Sequence, residues 1–184
     1  MTRLRFSSSK AIDAIDYIAR SKPGITQYYI CKIIFFADRE HLLDYGRSIT
    51  GDRFVAMQYG PVPSNVLNLL KFDQNQPPEL LDIVTSRVET VKNGNQISYS
   101  SKNASDFPNL SGSDKQYLDD AINLYGNMTF GELCDLSHQD VAYEDAWLRI
   151  GSDANEMNID LWLDTLENPA SAKAQIGETA QSLA

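Results

Sequence analysis

The chain has 184 residues, 42% of them apolar and 22% charged, the composition of a globular domain with at most one appendage, and this argues against disorder along most of its length. Sixteen Lys+Arg against 25 Asp+Glu leave a net charge of −9 at pH 7. Nucleic acid and anionic membrane surfaces both call for clustered cations, so the balance disfavours them and favours solubility or a basic protein partner.

Behind Arg3 and Arg5 there is no apolar stretch of the kind a signal peptide needs. The longest unbroken apolar run is Ile33–Ala37, against the roughly 20 residues of a spanning helix. A reduced, cytoplasmic protein is the expectation, with Cys31 and Cys134 as core thiols inside helical patterns.

Ala11, Ile12, Ile15, Ile18 and Ala19 have helical spacing after Ser7–Ser9, and Pro23-Gly24 ends that helix near Lys22. Thr26 is the expected N-cap of a second helix reaching Tyr45, with Gly46 past its end. Its first half is apolar on nearly every side, which places it at the centre of the fold. Next come an expected turn at Thr50-Gly51-Asp52, an extended piece at Phe54–Met57, a turn at Gly60-Pro61 and a third helix from Ser64. After Pro77-Pro78 a short helix holds Leu80, Leu81 and Ile83, and Asn93-Gly94 between Val/Thr/Tyr-rich segments signals a β-hairpin.

The second half is helical again. Ser113 with Gln116 and Thr129 with Glu132 fit capping boxes, Gly126 and Gly151 fit C′ positions, and Val141–Ile150 forms a helix with Ala146, Trp147 and Ile150 inward. Residues 151–184 carry six acids and one lysine, a net charge of −5. We therefore expect a domain over 1–150 and an acidic extension over 151–184, with one helix docked through Met157–Leu166 and a loose end beyond Pro169. The expected fold class is mainly α (α+β), a compact helical domain around the central apolar helix with a small β-hairpin or sheet.

Signatures of chemistry are sparse. There is no phosphate-binding glycine loop and no spacing that suits structural zinc. Cys31 and His41 are about 15 Å apart along one helix, too far to bond, whereas Cys134 and His138 are i,i+4 and can meet. Cys31, Ile34, Asp38, His41 and Tyr45 share one stripe of the central helix. On that helix Asp38 and His41 read first as partners of the Thr50–Phe54 loop and second as a contact surface. No catalytic residue, metal ligand or cofactor is expected.

The run Lys32–Leu70 contains Ala37-Asp38-Arg39-Glu40-His41, Tyr45-Gly46, Ile49-Thr50-Gly51-Asp52 and Ala56-Met57-Gln58-Tyr59-Gly60-Pro61-Val62-Pro63-Ser64. With Tyr125-Gly126-Asn127, Leu133–His138 and Trp147 downstream, this pattern resembles the Panacea domain family of SocA-like antitoxins over about residues 8–150. The resemblance implies a cytoplasmic protein of a bacterium, phage or mobile element. It also implies neutralisation of a cognate toxin, encoded next door, by direct association. One SocA-like mechanism adds delivery of the toxin to an energy-dependent AAA+ protease as a proteolytic adaptor. The family brings no established catalytic residues, so motif positions become candidates for partner contact: Asp38, Arg39, His41, Tyr45, Thr50, Gly51, Asp52, Tyr59, Gly60 and Pro61. Two alternatives stay open: a metal-dependent or other hydrolase around Asp38, His41 and Asp52, and a helix-turn-helix regulator built on the helices at 113–124 and 129–138.

Overall fold

The computed structural model describes residues 2–94, 96–104, 106–149 and 153–182. The chain begins with α1 (Ser8–Ser21), where the Ser7 hydroxyl accepts the Lys10 N–H, and a two-residue strand β1 (Ile25–Thr26). Then comes α2 (Gln27–Tyr45), which stops where Gly46 adopts φ +65°, a left-handed conformation glycine enters without steric cost. Next are β2 (Phe54–Met57), β3 (Gly60–Pro63), α3 (Ser64–Leu70), α4 (Pro78–Arg87), β4 (Val88–Asn93) and β5 (Gln96–Ser101). The remainder is α5 (Gly112–Tyr125), α6 (Phe130–His138), α7 (Val141–Trp147), β6 (Asn155–Glu156), α8 (Asp160–Leu163) and α9 (Pro169–Ser182).

Mainly α with a small β component is therefore the fold class. Among the described residues the strands form two antiparallel three-stranded sheets, in the orders β1-β5-β4 and β3-β2-β6. Both are built around α2, and α2 is apolar all round because it separates two cores. On one side Ile30, Ile33, Ile34 and Ala37 pack with α1, α3, α5 and Tyr99 of β5. On the other, Phe35, Phe36 and Leu42 pack with Phe54, Leu133, Tyr143 and Trp162. Phe35, Phe54 and Trp162 meet ring to ring at 5.5–5.8 Å, in edge-on geometries that favour aromatic contact.

Several local expectations are corrected. The capping box of α5 uses Ser111 and Asp114 instead of Ser113 and Gln116: the Ser111 hydroxyl accepts the Asp114 N–H while the Asp114 carboxylate accepts the Ser111 N–H. The hairpin turn falls at Gln58-Tyr59, because Met57 pairs with Gly60. Gly60 and Pro61 thus begin β3, an edge strand, where a proline's missing N–H is tolerated. In the other hairpin Asn93 pairs with Gln96, so Gly94, at φ +61°, is the first central residue of the turn. α7 stops at Trp147, and Ile150 and Gly151 lie outside the described residues. Where a loose end is expected, Pro169–Ser182 is helical, and Ile176, 3% exposed, packs in the second core. β6 extends the β2 sheet, and Met157, Ile159, Trp162 and Leu163 complete the second core.

Candidate functional site

Buried carboxylates hold the motif loop onto the central helix. Asp38 is 1% exposed; its Oδ1 accepts the Thr50 N–H at 2.9 Å and its Oδ2 the Thr50 hydroxyl. Burial pushes its pKa up to about 6, against the lowering effect of those bonds. Asp52, also buried, spends its hydrogen bonds on its own loop and α3. Its oxygens accept the N–H groups of Arg53, Asn65 and Val66 at 2.8–3.1 Å and the Asn65 amide at 2.7 Å. It thereby caps α3, whose own N-cap position is Pro63, and satisfies donors that a helix start leaves orphaned. Gly51 between them has φ +68°, and a Cβ there would lie 1.9 Å from the Arg5 carbonyl oxygen. The loop can approach the N-terminal segment only as glycine.

His41 points elsewhere. Nδ1–H donates to the Arg47 carbonyl at 2.7 Å, and in the neutral ring Nε2 accepts from Ser113 at 3.1 Å. Burial lowers its pKa and favours that neutral form. Behind it Asp114 receives Lys10 at 2.7 Å and Arg47 at 2.8 Å. Burial would raise the Asp114 carboxyl, but bonds from Lys10, the Ser111 backbone and Arg47 outweigh it and hold the pKa at about 2. Tyr45 stacks on His41 at 4.7 Å and is 53% exposed.

A third group surrounds the Gln58-Tyr59 turn. Lys32 is 1% exposed, donates to the Pro61 carbonyl at 2.9 Å and sits 5.3 Å from the centre of the Tyr28 ring. Burial lowers its pKa to about 7. A Cβ at Gly60 would lie 2.3 Å from Ser137 Oγ and 2.5 Å from Lys32 Nζ, so the glycine makes room for the amine. Above it Tyr59 meets Phe130 edge-on at 5.4 Å, and Phe130 meets Tyr28 at 4.6 Å. Tyr59 and Phe130 are 53% and 48% exposed. Beside them Cys134 Sγ is 3.5 Å from His138 Nε2, and the His138 ring stacks on Tyr143 at 4.7 Å.

Of the ten candidate positions, Asp38, His41, Thr50, Gly51, Asp52, Gly60 and Pro61 are buried, Arg39 is half-buried, and Tyr45 and Tyr59 are exposed. Asp38 and Thr50 are brought together; His41 and Asp52 serve other elements. Among the described residues no three His, Cys, Asp or Glu side chains are gathered closely enough to hold a metal ion. Sequence reasoning missed Asp140, 3.4 Å from Arg39, which caps α7 and accepts the Trp162 indole N–H. An aspartate just before an apolar helical run was a usable signal for that cap. Asp13 and Asp16, both fully buried near Arg87, were also missed, because on α1 they look like the ordinary polar face of an amphipathic helix.

Residues 30–144 match the family model described as antitoxin SocA-like, Panacea domain. Neither the curated proteins nor the solved structures provide a match. Among the described residues no helix is long and apolar enough to cross a membrane.

Proposed function

The chain belongs to the SocA-like, Panacea-domain antitoxin family, and we propose that it neutralises a toxin by binding it, through the aromatic surface that the motif displays around Tyr59. The observation that carries this reading is a division within the motif. Asp38 and Asp52 are occupied in holding the loop, while Tyr59 and Phe130 stand half-exposed in mutual contact. Exposed aromatics on a rigid support are the residue type that anchors protein interfaces. Arg39 and Tyr45, further along α2, are separate candidate contacts, and Asp38, His41, Thr50, Gly51, Asp52, Gly60 and Pro61 fix the shape of the motif.

The partner is a toxin encoded beside this gene, met in the cytoplasm without catalysis by the antitoxin. Hand-over of the bound toxin to an AAA+ protease is a finer version of the same reading. A basic toxin would find its counter-charge in the acidic segment after Gly151. Co-expression with each neighbouring reading frame is the test. Rescue of growth and co-purification are expected for one of them, and both should be lost with Tyr59→Asp in a variant that still folds. Absence of toxicity and of association for every neighbour overturns the proposal.

A further inference from the structure

Away from the aromatic surface, a cleft of about 500 Å3 opens between the N-terminal segment and the loop that follows α2. Its walls are residues 4–10, 46–49 and 51, with Ile176 of α9 closing one side. Among the described residues three cations, Arg5, Lys10 and Arg47, and four serines belong to this lining, and no carboxylate does, in a chain whose net charge is −9. Asp114 pairs with Lys10 and Arg47 from behind, but its side chain is fully buried and it offsets only one of the three charges. The accessible apolar part is supplied by Leu4 and Phe6, both half-buried, while Ile49 and Ile176 in the same lining are buried.

Both main walls are fixed before any ligand arrives. Ser7 N–H donates to the Thr50 carbonyl at 2.8 Å, and Gly51 lies hard against the Arg5 carbonyl. A preformed cleft does not charge its ligand the entropy of ordering two loops. Volumes of about 300–1,000 Å3, an apolar lining and a few convergent polar groups are the usual features of small-molecule sites. The excess of positive charge selects for an anion, and the apolar floor for a ligand with a hydrocarbon body.

We propose that this cleft binds an amphiphilic anion, with a carboxylate or phosphate head near Arg5, Lys10 and Arg47 and an apolar body against Leu4 and Phe6. The proposal stands apart from the antitoxin reading, since neither depends on the other. Amide chemical shifts of the full chain, followed during titration with decanoate, decyl phosphate and decanol below their micellar concentrations, provide the test. Both anions should shift residues 7–10 and 46–49, saturate, and bind at least tenfold tighter than decanol, with affinity falling as salt is added. The tighter anion identifies the head group. Arg5→Glu, at an exposed position, should weaken both anions at least tenfold and leave decanol unchanged, while Arg5→Lys should retain them. The proposal is overturned if neither anion binds, if decanol binds as tightly, if the shifts map elsewhere, or if Arg5→Glu changes nothing.

Discussion

The two halves of the central motif have opposite fates. Between Asp38 and Asp52 the side chains of Asp38, His41, Thr50 and Asp52 turn inward and bond to backbone or to other buried groups. From Gln58 to Pro61 a two-residue turn lifts an aromatic ring into solvent above a buried lysine. Residue types that read as chemistry thus form the scaffold, and a tyrosine with no chemical signature occupies the exposed position. The difference follows from backbone geometry. A carboxylate beside orphaned N–H groups at a loop and a helix start gains several charge-assisted bonds by facing in. A side chain at the tip of a tight hairpin has little to pack against except its immediate neighbours.

Breaking the inward half should have the largest effect. Asp52→Ala leaves the Asn65 and Val66 N–H groups in the first turn of α3 without their acceptor, and we expect a loss of about 3 kcal/mol in urea unfolding. A loss under about 1 kcal/mol would show that water replaces the carboxylate. Gly60→Ala tests the seam between the halves. Its φ of +95° and the closeness of Ser137 and Lys32 predict a loss of about 2 kcal/mol, with a changed environment at Tyr59 seen in its ring NMR signals.

Charge beneath the turn gives a pH signature of similar or smaller size. Lys32 has a folded pKa of about 7 against an ordinary 10.5, so between those values the unfolded chain holds more protons than the folded one. Stability therefore rises with pH from 7 toward 9, by on the order of 2 kcal/mol, and Lys32→Met should remove that rise. Asp38 carries the opposite sign. Raised from 3.8 to about 6, it holds more protons when folded, so its contribution falls as pH climbs through that window. Asp38→Asn should flatten this fall in pH-resolved unfolding curves. The smallest expected change in stability is that of Tyr59→Ala, below about 1 kcal/mol for a half-exposed side chain. If its toxin association nevertheless drops at least tenfold in a pull-down titration, the outward half is the functional one. A stability loss as large as that of Asp52→Ala would erase the distinction.

Much of the architecture was legible from local signals. Periodicity located α1 and α2, Gly46 ended α2, Thr129 and Glu132 capped α6, and the Asn-Gly hairpin stood within one residue of its place. The site was legible as a motif but not as a division of labour. Helical spacing put Asp38 and His41 on one stripe, yet only Asp38 reaches the Thr50 loop. His41 instead meets Arg47 and Ser113, the latter 72 positions away. The same limit hid the fate of the chain after Pro169. α9 has a weak apolar pattern of its own, and it is held where Ile176 enters a groove made by other elements.

The amino-acid sequence by itself determined the helix-rich class, the central place of α2, the Asn-Gly hairpin and the antitoxin family, because periodicity, caps, turn residues and a dense motif act over short stretches of chain. Only the tertiary structure decided which polar residues are spent inside. It likewise decided that Tyr59 and Phe130 come together in the open and that three cations share one cleft in an acidic protein. These depend on contacts between segments far apart in the chain. The direction of a side chain there is set by what the other segment offers, a free N–H, a ring or an apolar seat, and not by its own neighbours in sequence.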